Sequence, residues 1–472
     1  MIVAETERAE PIGRTVAPSA ALIRKYDALG PRYTSYPTAD RFHEGFGATD
    51  YLAALETRRA SPQSTPLSLY CHLPFCESIC YYCGCNKVVT KDRSRSTPYV
   101  HKLLHEIALV ASHLDTAAPV TQLHWGGGTP TFLPPNEMAT LMERLRSTFS
   151  FATDAEISIE VDPRRVDAET IGFLRGLGFN RMSLGIQDYD PAVQLAVNRI
   201  QSEAETRAII DAGRHFGFAS LNVDLIYGLP LQTVEGFRTT LDKVIAASPD
   251  RIALYSFAHV PHMFKQQRGI DVTQLPSAET KLAIFALAVD KLGAAGYRYI
   301  GMDHFARPDD ELALAQAAGK LHRNFQGYST QPDCDLVAFG VSAIGKIGNI
   351  YVQNVRTLEP YYERLEQNTL PTLRGYSLDP DDVLRRDVIA RLMCGFDLRK
   401  HEIESAHDID FDAYFATEMA ALEPLAGDGI VVLDDGGIRV TPLGRFFVRV
   451  VAMVFDRHLR ETRERARYSR VI

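Results

Sequence analysis

Seven short apolar runs, each ending in polar or glycine-rich chemistry, constrain the fold of this chain more than any single motif does. They read "PLSLYCHLPF", "VTQLHWGGGTP", "EISIEVDP", "RMSLGIQDYD", "SLNVDLIYGLP", "RIALYSFAHV" and "YRYIGMDHFA". Between them lie helix-compatible stretches such as "YVHKLLHEIALVASHL", "AETIGFLRGLG", "SEAETRAIIDAGRHFG" and "SAETKLAIFALAVDKLGAAG". Strand and helix alternating in this way specify βαβ units and a parallel sheet. The polar ends recur in register: cysteines after "LSLY", "GGGTP" after "LHW", Glu160 and Asp162, then Gln187, Asp224, His259, and finally Asp303 with His304. Polar residues also begin ordinary loops. In a parallel α/β barrel, however, the C-terminal strand ends form the active-site mouth, and seven successive units aim there.

The chain is long enough for about two or three domains, and its 46% hydrophobic content supplies a large core without covalent staples. Seven cysteines, five of them concentrated in one segment, are too few for a disulfide scaffold, so the thiols are expected to be reduced. The N-terminus "MIVAETERAEPIGRT" lacks the apolar core of a signal peptide, and no apolar run is long enough to span a membrane. The expected location is cytoplasmic, with no membrane partner. A net charge of −8 gives no general attraction for nucleic acid.

The division expected from these patterns is an N-terminal arm over 1–60, a barrel over 61–375 and a mainly helical domain over 376–472. In the last, "PDDVLRRDVIARLMCGFDL" and "DAYFATEMAALEPL" read as helices, and "GIVVLDDGGIRVT" as a hairpin with Gly-Gly at its turn. A winged-helix reading would need a basic recognition segment. Residues Asp412–Leu425 carry Asp412, Glu418 and Glu423 and no Lys or Arg, so a structural cap over the barrel is the better reading. The tail "DRHLRETRERARYSRVI" is read as a solvated face, with a lid over an anionic substrate as the alternative.

Cys76, Cys80 and Cys83 stand at CxxxCxxC spacing, and Cys85 extends it. A closed zinc site wants four ligands, usually in two pairs, and no second pair exists elsewhere. Thiolates are natural ligands of iron–sulfur clusters, and a [4Fe–4S] cube held by three cysteines leaves one iron open for chemistry. Gly126, Gly127 and Gly128 have no Cβ, so their backbone can approach a polar ligand closely. Glu160 and Asp224 can accept hydrogen bonds from hydroxyl or ammonium groups, and Arg199 can fork onto a carboxylate. Taken alone, Glu160 also reads as a helix cap and Arg199 as a surface ion pair. Cys71, Cys334 and Cys394 read as buried thiols.

Together the CxxxCxxC loop and the glycine-rich edge one strand later resemble the radical S-adenosylmethionine superfamily. The resemblance continues through "PRYTSYPT", "HLPFCESICYYCGCNK", "LHWGGGTPTFL", "ISIEVDPR", "GFNRMSLGIQDYD", "VNRIQ", "NVDLIYGLP", "GMDHFARPDDEL", "HRNFQGYSTQPDCDL" and "YSRVI". These segments, spread from Tyr33 to Ile472, are similar to the oxygen-independent coproporphyrinogen III oxidases.

That resemblance implies a partial parallel (β/α) barrel of the radical S-adenosylmethionine type with a mainly helical C-terminal domain. It implies conversion of coproporphyrinogen III to protoporphyrinogen IX, in heme and tetrapyrrole synthesis, by oxidative decarboxylation of two propionates. Cys76, Cys80 and Cys83 would hold a [4Fe–4S] cluster. Tyr70, Gly127, Glu160 and Ile344 would contact the S-adenosylmethionine on the open iron. Tyr82, Gly128, Thr129, Gln187, Arg199, Asp224 and Ala258 would line a second S-adenosylmethionine position. Cys85 is present in the motif without being a cluster ligand and joins Glu160, His304 and Arg307 as a candidate catalytic residue. Apart from the resemblance, His304, Arg307, His322 and Arg323 lie in polar stretches of the kind that could meet propionates. The reduced cluster would cleave S-adenosylmethionine to a 5′-deoxyadenosyl radical that takes a hydrogen from the propionate β-carbon, because no ordinary side chain can. An electron-donor protein, an unidentified electron acceptor and a monomeric state complete the expectation. A related heme chaperone is the alternative, against which stand "CGCNK" and the segments Phe305 to Leu312 and His322 to Tyr328.

Overall fold

The computed structural model describes residues 18–26, 28–60, 65–331 and 334–461. The first 17 residues and the terminal segment 462–472, which holds most of the arginine-rich tail, lie outside the described residues.

Six of the seven apolar runs are parallel strands: β1 (Leu67–Leu73), β2 (Pro119–Gly127), β3 (Ser150–Val161), β4 (Arg181–Gln187), β5 (Ser220–Tyr227) and β6 (Arg251–Ser256). They pair in chain order. Helices Ser96–Ala111, Pro135–Thr148, Ala168–Gly176, Glu203–His215 and Val234–Ala247 cross over between them. Three of these helices begin on side-chain caps: Asp167 accepts from Thr170 N–H, Thr233 accepts from Gly236 N–H, and Ser202 forms a reciprocal box with Glu205. Each such cap is worth about 1 kcal/mol.

The seventh run departs from the expectation. "YRYIGMDHFA" is a hairpin of β7 (Arg298–Gly301) and β8 (His304–Ala306), and β8 lies antiparallel against β6. Met302 takes φ +50° directly after Gly301 at +144°, so the chain reverses where a parallel strand would have run on. A second hairpin, β9 (His322–Asn324) with β10 (Gly327–Ser329), follows. The seventh parallel strand is then β11 (Asp335–Phe339), which joins the free side of β1. An antiparallel meander of β12 (Ile344–Ile347), β13 (Ile350–Asn354) and β14 (Thr372–Ser377) extends that side. The resulting twelve-stranded order is β14-β13-β12-β11-β1-β2-β3-β4-β5-β6-β8-β7, and its two edges do not pair, so the barrel is partial.

Period-two alternation assigns the two faces of the sheet. On β2, Leu123 and Trp125 are fully buried beneath the helices, while Gln122 and His124 turn to the concave side. Strand β3 repeats this with Ile157 and Ile159 against Glu156, Ser158 and Glu160. Each apolar side chain removed from water contributes roughly 1.5–3 kcal/mol, so the outer face holds the sheet to its helices and leaves the inner face free to be polar.

The C-terminal block begins with helix Pro380–Gly395, capped by Asp379 and packed on helix Val448–Val454. The expected hairpin is present as β16 (Val431–Asp434) and β17 (Gly437–Val440), with β15 (Asp397–Arg399) as a third strand beside β17. Its turn is Asp435–Gly436, since Gly437 already pairs with Asp434. The segment weighed as a recognition helix breaks at Phe415, and its Glu418 is buried against Arg385 at 2.7 Å. After the hairpin the chain forms three short helical pieces: Gly444–Phe447, Val448–Val454 and Arg457–Glu461. The N-terminal arm threads between this block and the barrel: Tyr33 donates to Asp456 at 2.9 Å and Arg449 donates to the Pro31 carbonyl at 2.9 Å. Among the described residues no helix is long and apolar enough to cross a membrane.

Candidate active site

The cysteine loop leaves the C-terminal end of β1 and is closed by a two-residue parallel pairing of Phe75–Cys76 with Val88–Val89. Within it, Cys83 N–H donates to the Cys80 carbonyl at 3.2 Å, tightening the turn that brings the thiols to one side. Three contacts fasten the loop from outside: Tyr81 N–H to Val197 O at 3.0 Å, Asn198 Nδ2 to Ile79 O at 2.7 Å, and Gln267 Nε2 to Tyr82 O at 3.2 Å.

Two guanidiniums flank the Cys80 sulfur and a hydroxyl flanks that of Cys76. Arg199 Nη1 lies 3.7 Å and Arg164 Nη2 3.9 Å from Cys80 Sγ, and Thr129 Oγ1 lies 3.6 Å from Cys76 Sγ. Cys85 N–H donates to Cys83 Sγ at 3.4 Å. Hydrogen bonding from Cys85 pulls the Cys83 thiol below its ordinary range, and the same partnership pushes Cys85 up. Burial raises Cys76 to about 11. Among the described residues no three His, Cys, Asp or Glu side chains close on a single ion. A cluster takes thiolates that stand farther apart, because its irons are spaced by sulfides, so this donor set fits a cluster better than mononuclear zinc.

The glycine edge earns its composition here. Gly128 N–H donates to Leu73 O and Thr129 N–H to Phe75 O, both at 2.8 Å, laying the edge directly on the cysteine loop. A Cβ on Gly128 would stand 2.6 Å from the Pro74 carbonyl carbon, and one on Gly127 2.5 Å from the His72 ring. Gly127 also takes φ +108°.

Below the edge, Tyr70, His72, His124 and Glu160 form one network. Tyr70 O–H donates to His72 Nδ1 at 3.0 Å, which leaves His72 Nε2 to donate to Asn86 O at 2.9 Å. Tyr70 stacks on His124 at 5.9 Å. Glu160 accepts from Gly127 N–H at 3.1 Å and faces His124 Nε2 at 3.5 Å. Burial opposes its ionisation, but His124 and the Gly127 N–H outweigh burial and hold the carboxyl below its usual range. Glu160 therefore caps no helix.

Asp224 accepts from Asn222 Nδ2 at 2.8 Å and Ser183 Oγ at 3.1 Å. Burial, then the negative charge of Glu160, raises its carboxyl to about 6. Arg199 is buried, donating to Gly185 O at 2.6 Å and facing Asp162 at 3.4 Å, so it is not a surface ion pair. Two polar atoms here have no partner: Gln187 Oε1 and Arg199 Nε, both buried. A bound polar molecule would satisfy them, and buried polar atoms otherwise find partners. Ala258 is tied to the cysteine loop through Gln267, whose Nε2 donates to the carbonyls of both Ala258 and Tyr82 at 3.2 Å. Ile344, half-buried, opens β12, two strands from β1 on the side joined by β11, and follows the Gly340–Ser342 turn.

The structure gathers most of the sequence-derived candidates at the strand ends, with two displacements. Arg307 lies at the opposite end of the sheet: its neighbour Ala306 pairs with Arg251 at the start of β6, and its Nη1 donates to Ser248 Oγ at 2.7 Å. His304 belongs to the inner wall, opposite Ala253. His322 borders a cavity beside helix Pro380–Gly395. Cys71 and Cys394 are buried, whereas Cys334 is only half-buried, 3.4 Å from Thr121 Oγ1. Residues missed from sequence include His72 and His124, which strand alternation from Tyr70 and Gly126 would have placed on the inner face. Tyr255 and Arg32 carried no local signal.

A profile of the Radical SAM superfamily matches residues 70–244, and one described as the HemN C-terminal domain matches residues 378–447. The chain is 51% identical over 460 residues to the oxygen-independent coproporphyrinogen III oxidase of Pseudomonas aeruginosa, covering 97% of this chain and 99% of that protein. It is 48% identical over 452 residues to the protein of the same name from Escherichia coli, covering 96% and 98%. The solved structure of coproporphyrinogen III oxidase (HemN) from Escherichia coli, described as a Radical SAM enzyme, superimposes with a TM-score of 0.89 at 47% identity, covering 94% of this chain and 100% of that one.

Proposed function

The chain belongs to the oxygen-independent coproporphyrinogen III oxidases, and we propose on that footing that it converts coproporphyrinogen III to protoporphyrinogen IX by oxidative decarboxylation of two propionates. The observation that carries this reading is the site beneath the near-full-length similarity: three thiols beside a glycine edge, with Nε of the buried Arg199 and Oε1 of the buried Gln187 lacking partners.

Cys76, Cys80 and Cys83 would hold a [4Fe–4S] cluster. When bound, that cluster supplies a single electron to S-adenosylmethionine and so the radical chemistry an unactivated C–H bond requires. The chain's own residues bind, orient and shield. Tyr70, Gly127, Glu160 and Ile344 would receive S-adenosylmethionine, with the ionised Glu160 accepting from its hydroxyl or ammonium groups. A second S-adenosylmethionine, or part of the substrate, would occupy the position lined by Tyr82, Gly128, Thr129, Gln187, Arg199, Asp224 and Ala258. Arg199, whose Nε is free, would meet a carboxylate there. Asp224, titrating near 6, would accept from a cationic or N–H donor group at neutral pH. Cys85, exposed beside Cys83, and His304 stand as further candidates for contact with the reacting molecule. Arg307 is withdrawn from that role by its position.

We divide the chain into an arm (1–60), a barrel (61–375) and a C-terminal cap (376–472), the cap excluding water from the mouth. An electron-donor protein, a separate electron acceptor, a monomeric state and a cytoplasmic location complete the proposal. The test is an anaerobic assay of reconstituted protein with S-adenosylmethionine, a strong reductant and coproporphyrinogen III. Vinyl product that needs all three and vanishes in Cys80→Ala is expected. Cleavage of S-adenosylmethionine without vinyl product would move the assignment to a heme-carrying relative.

A further inference from the structure

Three arginines converge where the N-terminal arm crosses the inner wall of the barrel, and one of them lacks an anionic partner. Arg32 lies over the Tyr255 ring at 5.5 Å and is ion-paired with Asp303. Arg449 donates to the carbonyls of Gly30 and Pro31 and so holds the arm in place. Arg323, on β9, lies over the Tyr328 ring at 4.6 Å. Its Nε and Nη1 are buried with no hydrogen-bond partner, and among the described residues no carboxylate pairs with it. His304 completes the group, edge-on to Tyr328 at 5.3 Å and to Tyr255 at 6.1 Å, with its Nδ1 also buried and unpartnered.

Two guanidinium nitrogens and an imidazole nitrogen, buried without partners in one group, are donors that a carboxylate would satisfy. Burial and the nearby charges of Arg323 and Arg32 hold His304 far below its ordinary range, so the ring is neutral and offers one N–H. Arg323 also borders a cavity of about 870 Å³ between helix Pro380–Gly395 and the sheet, within the ~300–1,000 Å³ typical of ligand sites. Strand register relates this group to the mouth. His304 pairs with Ala253, and Ala253 with Asp224, so His304 lies two strand spacings from Asp224 in the same row, roughly 10 Å along the inner wall.

Building on the proposed function, we propose that Arg323, with Arg32 and His304, forms a carboxylate anchor for a propionate of the tetrapyrrole that is not at the reacting centre. Arg323 supplies the uncompensated positive charge and its free N–H donors, Arg32, held by Asp303, adds further donors beside it, and the two tyrosines wall the site. Such remote binding orients a macrocycle whose propionates are chemically alike.

The test measures equilibrium binding of coproporphyrin III and of its tetramethyl ester to the holoprotein under anaerobic conditions, alongside the Michaelis constant for coproporphyrinogen III. Arg323→Met is expected to weaken coproporphyrin III by roughly 10- to 100-fold while leaving the ester within about twofold of wild type. Arg323→Lys, which keeps charge but not the fork, is expected to fall between and guards against a variant that does not fold. Equal losses for acid and ester, or no loss for either, would overturn the anchor. A selective loss of S-adenosylmethionine affinity would overturn it too, because the carboxylate held would then be methionine's. If wild type turns over coproporphyrinogen III and the variants bind like wild type, the anchor alone fails. If wild type neither turns over nor binds the tetrapyrrole, the underlying reading fails with it.

Discussion

Replacing Gly127 by alanine should expose how tightly the glycine edge is built into the network beneath it. At φ +108° an L side chain strains the backbone by roughly 1–2 kcal/mol. The new Cβ would also stand 2.5 Å from the His72 ring, which can yield only by giving up its hydrogen bonds with Tyr70 and Asn86. At about 1 kcal/mol each, those two losses bring the total to roughly 3–4 kcal/mol. The clash component depends on His72, so a double-mutant cycle with His72→Ala isolates it. The double variant should be less destabilised than the sum of the single variants by roughly 2 kcal/mol, the hydrogen bonds otherwise counted twice. Urea unfolding followed by tryptophan fluorescence suits the measurement, because the single tryptophan, Trp125, is fully buried two residues away on the same strand. Additivity within about 0.5 kcal/mol would refute the argument, since Gly127 would then be intolerant for backbone reasons alone. In the same variant, affinity for S-adenosylmethionine should fall, because shifting the edge moves the Gly127 N–H that Glu160 accepts.

Glu106 provides a pH test: it is buried, accepts from Gly340 N–H at 2.7 Å, Asn354 Nδ2 at 2.6 Å and Tyr361 O–H at 2.6 Å, and burial raises it from 4.5 to about 7. A raised carboxyl binds its proton more tightly folded than unfolded, so stability should decline as pH climbs from about 4.5 to about 7. Urea midpoints measured across that range should show the decline in wild type and a flatter profile in Glu106→Gln. Arg385→Met should remove the 2.7 Å guanidinium contact of the buried Glu418 and lower stability by about 3–5 kcal/mol, measured by unfolding; a change under ~1 kcal/mol would mean that the remaining contacts of Glu418 are enough to hold its charge. Cys80→Ala should abolish iron retention after anaerobic reconstitution, whereas Cys334→Ala should retain wild-type iron content by metal analysis.

The parallel core was legible because its cause is local. Strands β1 to β6 are short apolar runs between crossover helices, and the polar residue at each C-terminal end follows from the chain turning there toward the mouth. The hairpin β7–β8 was misread because its composition matches a parallel strand; what differs is the reversal through Gly301 and Met302. Strand β11 was passed over because "DLVAF" lies after a long polar stretch without a helix of the expected kind before it. Glu418 looked like a repulsive surface residue, yet its meaning comes from Arg385, 33 positions away and fully internal to the fold.

By itself the sequence determined the chemistry at the top of the barrel: three cysteines at CxxxCxxC spacing, the glycines beside them and the strand-end carboxylates. Spacing within a loop is a short-range property, and a strand's period of two carries it to one face. Tertiary structure alone decided which distant groups meet on the inner wall. Arg32, His304 and Arg323 come from the arm, the reversed hairpin and a second hairpin, and only closure of the cap against the barrel brings their charges into one buried space, where desolvation makes the missing partner of Arg323 matter.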